Sequence, residues 1–330
     1  VTQANIPVLD FRHAQDPERR AAFVQALGQA MESIGFAVIT HHGIDTDLLG
    51  RAYGVAQDLF DLPMAAKKTY EDVAGGRERG YTSFGVEHAV DTKTPDLKEF
   101  WHVGRTLAED HPLAGTGFVH DNRFPTEIPE FGPVFSSLYG QMEEFAHSLL
   151  DGIGEFLGLA PTFFRDMVAD GNSVMRVIHY PDIGEVPKGA VRAASHEDIN
   201  LITVLPSSTK PGLEVMTRDG EWHAVQTPPE VMIVDTGDMM KLLTSGRLQS
   251  TTHRVVNPEA SDGGRLSMPF FVHPHREHLL TPLVPGYAEP VLAHDFLYER
   301  LAAIGVARPA HAGAHGKDTQ SDTPAATETL

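Results

Sequence analysis

Apolar residues recur along this chain with two different periods, and the change from one to the other divides it. From Arg20 to Ser33, the residues Phe23, Leu27, Ala30 and Met31, followed by Ile34, fall three or four apart, the spacing of one helix face. Asp16-Pro17-Glu18 supplies a start signal, and Gly35 ends the run. Asp47 to Leu62 reads as a second helix stopped by Pro63, with short strands predicted at Ile6–Asp10 and Phe36–Thr40. Phe131 to Leu159 is a third helix, because Phe135, Leu138, Met142, Phe145, Leu149 and Ile153 form an apolar stripe.

From Ser173 the pattern shortens to β-type runs separated by Gly, Pro, Asp and Ser. The candidate strands are Val174–Tyr180, Val191–His196, Leu201–Leu205, Leu213–Met216, Trp222–Ala224, Val231–Asp235, Thr252–Val256 and Leu266–His273. Short strands in such succession predict a sandwich or jelly roll. The fold class is therefore α+β with a mainly β core. A mixed, largely helical region, 1–172, is expected to pack on a β core, 173–280, followed by a helical segment, 281–307, and a flexible tail, 308–330. Between Gly75 and Gly104 no period is sustained, and this stretch reads either as a surface connection or as a lid carrying substrate contacts.

Composition narrows the function classes. Lys plus Arg number 26 against 45 for Asp plus Glu, a net charge of -19 without a dense basic run, which argues against sequence-independent nucleic-acid binding. There is no cysteine, so disulfides, thiolate metal sites and a cysteine nucleophile are excluded. No stretch approaches the roughly 18 apolar residues of a membrane span, and a cytoplasmic location is expected.

The chemistry gathers in three short motifs. In Ser195-His196-Glu197-Asp198 an extended chain puts His196 and Asp198 on one face, and Thr251-Thr252-His253 brings a second imidazole on another strand. Two imidazoles and a carboxylate on one side of an octahedral ion leave its other side open. With 18 histidines in the chain, each element alone is weak. The third motif, Gly264-Arg265-Leu266-Ser267, puts a guanidinium and a hydroxyl on one strand face, where both can converge on a carboxylate.

Taken in order, Met175-Arg-Val-Ile-His-Tyr-Pro181, His196/Asp198, Thr251-Thr252-His253-Arg254-Val255 and Arg265-Leu-Ser267 resemble the isopenicillin-N-synthase-like branch of the 2-oxoglutarate/Fe(II) oxygenases. The resemblance runs from about Ile6 to Pro274 and includes the Gly35–Ile44 stretch. It implies a double-stranded β-helix with flanking N-terminal and central helices, with His196, Asp198 and His253 as iron ligands. Arg265 and Ser267 would anchor the distal carboxylate of 2-oxoglutarate, with Tyr180 as a further hydroxyl donor. The implied cofactors are Fe(II), 2-oxoglutarate and O2, with ascorbate as reductant in assays. The implied reaction couples oxidative decarboxylation to succinate and CO2 with C–H oxidation of a small organic substrate. Many plant members carry Asn two residues before the tyrosine, whereas this chain has Ile178. Tyr81, Phe84, Phe100, Trp101, Arg192 and Phe271 are candidate substrate contacts. A 2-oxoglutarate-independent oxidase of the same family and a non-catalytic ligand-binding jelly roll are the alternatives.

Overall fold

Two β-sheets face each other, and the helices cover the outside of the larger one. The computed structural model describes residues 2, 3, 5–73, 75–87, 96–116, 118–182, 189–228, 230–258 and 263–303. The expected tail, 308–330, and the end of the expected helical segment, 304–307, lie outside the described residues.

In chain order the N-terminal part gives β1 (Thr2–Gln3), β2 (Val8–Asp10), α1 (Arg12–Gln15), α2 (Arg20–Ser33), β3 (Phe36–Thr40), α3 (Thr46–Asp61) and α4 (Met64–Lys68). Then come β4 (Gly80–Thr82), β5 (Glu99–Gly104), α5 (Phe131–Leu157) and α6 (Phe163–Val168). The C-terminal part gives β6 (Val174–Tyr180), β7 (Ala193–His196), β8 (Ile202–Pro206), β9 (Leu213–Met216), β10 (Trp222–Ala224), β11 (Met232–Thr236) and α7 (Asp238–Leu243). It closes with β12 (His253–Val255), β13 (Arg265–Ser267), β14 (Phe270–Val272), β15 (Leu279–Leu280), β16 (Val291–Leu292) and α8 (Ala293–Ala303).

The larger sheet runs β2-β3-β11-β8-β14-β6-β5-β4, with β13 extending β14 along β6. The smaller runs β1-β10-β9-β12-β7. Helices α2 and α3 pack on α5, and Leu27, Met31, Leu59, Phe135 and Met142 meet Met175, Val177, Val204, Val234 and Leu266 from the outer sheet face. Each of these sheet residues alternates with one that points between the sheets. Two smaller apolar clusters fill that interior. One gathers Phe36, Val38, Val215 and Ile233, and the other Phe100, Ile178, Tyr180, Ala193 and Val255. The result is the jelly roll expected from the succession of short strands.

Several local expectations shift for physical reasons. Helix α2 keeps its expected span after a turn over Asp16-Pro17-Glu18, in which the Asp16 carbonyl accepts from Arg19 and Arg20. Helix α3 starts at Thr46 because the Asp45 side chain accepts from the amides of Asp47 and Leu48. Gly158 ends α5 at φ +71, a left-handed cap that glycine adopts without strain. The single strand expected over Leu266–His273 is two strands in one register on β6, Arg265↔Tyr180 and Phe270↔Met175. The ladder lapses near Pro269, which has no amide hydrogen to donate.

The largest correction concerns Gly75–Gly104. The described part of this stretch is not solely a connection or a lid, because β4 and β5 are built into the larger sheet, with Glu99↔His179 through Gly104↔Val174 pairing β5 to β6. Its residues 88–95 lie outside the described residues. The N-terminal region thus contributes strands as well as helices to the layer that carries the site.

Candidate active site

Strands β7 and β12 present the metal-type ligands. His253 pairs with His196 across the antiparallel ladder, and their ring centroids are 4.4 Å apart. Asp198 follows in the turn after β7, its Oδ1 3.7 Å from His196 Nε2 and 3.6 Å from His253 Nε2. The three ligand atoms all lie within 4.8 Å of one another.

The surrounding chain fixes how these groups point. His196 Nδ1 donates to the Ala194 carbonyl at 2.8 Å and His253 Nδ1 to that of Thr251 at 3.1 Å. Both Nε2 lone pairs are thereby turned toward Asp198 and available to an ion. The surrounding protein, and after it the neighbouring His253, push His196 below its ordinary pKa, although its side chain keeps part of its surface open. Thr203 donates from its hydroxyl to Asp198 Oδ2, and Asp235 stands opposite Thr203 in the β8–β11 register. Burial, followed by the Asp198 charge, holds the Asp235 carboxyl well above its ordinary range. The Asp198 carbonyl accepts from the amide of Asp238 at the start of α7. Two imidazoles and one carboxylate with satisfied outer partners fit Fe(II), which this donor set suits.

A second constellation lies on β6 and β13. Arg265 is 3% exposed. Its Nε donates to the Lys210 carbonyl at 3.0 Å and its Nη2 to Ser208 Oγ at 2.7 Å. Ser208 and Ser267 share a hydrogen bond of 3.0 Å, and the Arg265 guanidinium lies 5.1 Å from the centre of the Tyr180 ring. Arg265 Nη1 is buried with no partner. Burial lowers the guanidinium pKa, and the charge of buried Arg192 nearby adds to the effect. A buried cation with an unused donor is matched by a carboxylate.

A cavity of about 610 Å³ opens beside His196 and Asp198. Its wall is more charged than the sequence suggested, and includes Arg77, Arg79, Glu87, Lys98, His102, Arg176, His273 and Arg300. Lys98 bridges Glu87 and Asp96 at 2.5 and 2.9 Å, and Arg176 reaches Glu87 at 3.1 Å. His102 donates from Nδ1 to the Arg77 carbonyl and accepts from Arg176 Nε at 2.7 Å on its other nitrogen. Asp96 also accepts from the amide of Ala194, the residue whose carbonyl orients His196.

The aromatic candidates separate accordingly. Phe271 lines the cavity, and Phe100 lies in the interior cluster with Arg176 stacked 4.3 Å from its ring centre. Tyr81 and Trp101 do not reach the cavity. Both are fully buried among the helices, Tyr81 donating to Glu99 and Trp101 Nε1 to the Arg123 carbonyl at 3.1 Å. Phe84 is 38% exposed and lies outside the cavity lining. Arg192 is buried near Arg265 rather than in the cavity wall. Arg176, which sequence reasoning passed over, had one legible signal: it shares a strand face with Ile178 and Tyr180.

Comparison with known proteins follows this geometry. Residues 171–274 match the sequence model of the 2OG-Fe(II) oxygenase superfamily, and residues 6–127 match that of the N-terminal region of non-haem dioxygenases of morphine synthesis. A crystal structure of a 2OG-Fe(II) oxygenase family protein from Caulobacter crescentus is 38% identical, with a TM-score of 0.81 over 92% of this chain and 100% of that one. A 2-oxoglutarate-Fe(II) type oxidoreductase of Aspergillus fumigatus is 30% identical over 80% of this chain and 81% of its own. A Neurospora crassa protein crystallised in complex with alpha-KG and thymine is 24% identical with a TM-score of 0.79 over 90% and 96% of the two chains, which shows a shared fold. With the ligand triad in that fold and relatives aligned over most of their length, the chain belongs to the 2-oxoglutarate/Fe(II) oxygenase superfamily, as a 2-oxoglutarate-dependent dioxygenase.

Proposed function

We propose that this chain couples oxidative decarboxylation of 2-oxoglutarate, giving succinate and CO2, to oxidation of a C–H bond in a small organic molecule held in the 610 Å³ cavity. That volume is in the range of small-molecule pockets, about 300–1,000 Å³. His196, Asp198 and His253 would hold the metal. Bound there, Fe(II) would supply the O2-activating chemistry.

The protein's part is to bind, orient and exclude water. Arg265 Nη1 receives the distal carboxylate of 2-oxoglutarate, while Ser208 and the Lys210 carbonyl hold the rest of the guanidinium in place. Ser267 completes the polar cradle through Ser208, and Tyr180 lies beneath the guanidinium. Ile178, where many plant members carry an amide, packs here in the apolar cluster with Phe100 and Val255. Thymine is the ligand in the Neurospora structure, and a molecule of comparable class, small and polar, suits the charged wall here.

The buried, unpartnered Nη1 of Arg265 carries this reading. The test is succinate formation from 2-oxoglutarate with Fe(II), ascorbate and air, run with wild type and Arg265→Leu. Slow succinate release without any added substrate is expected from wild type and not from the variant at the same oxo-acid concentration. Wild-type enzyme that takes up O2 only with a carboxylate-bearing substrate, and never forms succinate, would overturn it.

A further inference from the structure

Five cations line the cavity beside His196 and Asp198, and they are not alike. Lys98 pairs with Glu87 and Asp96, Arg176 pairs with Glu87, and Arg300 pairs with Asp238 at 3.3 Å. Arg77 and Arg79 have no carboxylate within ion-pair distance among the described residues. Arg79 is 1% exposed. Its Nη1 donates to the Glu78 carbonyl at 2.7 Å and its Nη2 to Asn172 Oδ1 at 3.2 Å, both neutral acceptors. Nε of Arg79 and Nε of Arg77 are buried without any partner. Glu78, the acid between them in sequence, is engaged elsewhere: it accepts from the Tyr298 hydroxyl and from Asn172 Nδ2 at 3.2 Å, and lies 3.7 Å from His120.

We propose that this cavity takes a substrate carrying a single carboxylate, received by Arg77 and Arg79 where the approach to β4 meets α8. The inference deepens the reading of the cavity as the substrate site and rests on it. A buried guanidinium with neutral partners and an unused donor is costly alone and is compensated by a carboxylate, which its planar fork fits. Burial lowers the Arg79 pKa and outweighs the nearby charge of Glu78. The wall is shaped for this side chain, because a Cβ on Gly104 would lie 2.0 Å from Arg79 Cζ. Arg77 is held in the left-handed region at φ +58 by its amide to the Asp72 carbonyl and by His102 on its own carbonyl. Such backbone strain persists where surrounding contacts over-determine it. Charge count selects one carboxylate over a phosphate dianion, since Glu78, Glu87, Asp96, Glu197, Asp198 and Asp238 share the same wall and repel a second negative charge.

The experiment uses the full chain loaded with Mn(II) and saturating 2-oxoglutarate, titrated with benzoate, phenylacetate and 3-phenylpropanoate and with their three matched amides. At least one acid is expected to bind tenfold or more tightly than its amide, a difference of about 1.4 kcal/mol. Arg79→Met and Arg77→Gln should each erase that preference while leaving 2-oxoglutarate binding intact, and the second variant serves if the first fails to fold. Acids and amides that bind alike, acids that do not bind at all, or a preference that survives in Arg77→Gln would overturn the proposal. Failure of 2-oxoglutarate to bind the Mn(II) enzyme in the absence of any probe is a different result, and counts against the proposed function instead.

Discussion

His253 stands directly opposite His196 across the ladder of β12 and β7, so two neighbouring strands deliver both imidazoles to one carboxylate, that of Asp198. A strand pair is a stiff mount, and what remains adjustable is the carboxylate in the following turn. Thr203 holds it from the opposite sheet. Thr203→Val removes one donor at nearly constant volume. Metal affinity should fall by about tenfold, the low end of what outer-shell partners contribute. Competition between Mn(II) and a chromophoric chelator measures it. His253→Ala should abolish binding, whereas Glu197→Ala should retain the metal; equal affinity in Thr203→Val and wild type would remove Thr203 from the assignment.

Arg265 separates charge from geometry. Arg265→Lys keeps a cation but loses the fork that contacts Lys210, Ser208 and an incoming carboxylate at once. The 2-oxoglutarate requirement should rise at least tenfold in Arg265→Lys and further in Arg265→Leu, since charge-assisted hydrogen bonds contribute about 1.5–3 kcal/mol. Metal binding should be unchanged in both. An unaltered oxo-acid requirement in Arg265→Leu refutes the anchor.

How much was legible follows from which faces each strand buries. The run β6 to β14 announced itself as short β-type segments set apart by Gly, Pro, Asp and Ser. Strand β5 hid because all six of its residues are buried, so Glu99-Phe-Trp-His-Val-Gly104 shows no alternation. Its Glu99 and His102 are satisfied by Lys67, His179 and Arg176, partners that no local pattern reveals. The triad was readable because its spacing is local to two strands. The charged cavity wall was not, since it joins residues from β4's approach, β5, β6 and α8.

Trp101 illustrates the consequence. With no exposure and its indole nitrogen bonded to Arg123, it is a core residue. Trp101→Ala should cost about 3–5 kcal/mol of stability while leaving 2-oxoglutarate affinity unchanged in the folded fraction. Phe271→Ala, at the cavity wall, should do the reverse and alter how tightly succinate formation is coupled to substrate oxidation. Chemical denaturation alongside succinate assays checks both, and a Trp101→Ala enzyme of full stability would contradict the packing described.

Glu87 sets an acid limit. Burial alone would raise its carboxyl, but Arg176 and Lys98 overcome that and hold it well below the ordinary 4.5. The contribution is complete above pH 4.5 and is lost progressively as pH falls toward the depressed value. Glu87→Gln should therefore be less stable at neutral pH, by roughly 3–5 kcal/mol for one partner removed from a buried pair. It should also lose less stability than wild type on acidification below pH 4.5. Unfolding free energies measured from neutral pH downward compare the two; parallel curves would dismiss the coupling.

Ile178 lies on the inner face of β6 between Arg176, at the cavity, and Tyr180, which pairs with Arg265. It pairs with Ser267 in register and packs with Phe100 and Val255. Replacing it by Asn puts an amide into that apolar cluster, and without a partner the amide costs about 1–3 kcal/mol. If 2-oxoglutarate occupies the adjoining space, its oxygens offer the missing partner, and the penalty is recovered on binding. Ile178→Asn should thus melt below wild type when only Mn(II) is present, and should gain more than wild type when saturating 2-oxoglutarate is added. Stabilisation by a ligand grows with its concentration relative to Kd, about 2.7 kcal/mol at one hundred times Kd, so the comparison is made across a titration rather than at one point. A variant that loses stability and gains no more than wild type from 2-oxoglutarate would mean that position 178 serves only the packing of Phe100 and Val255.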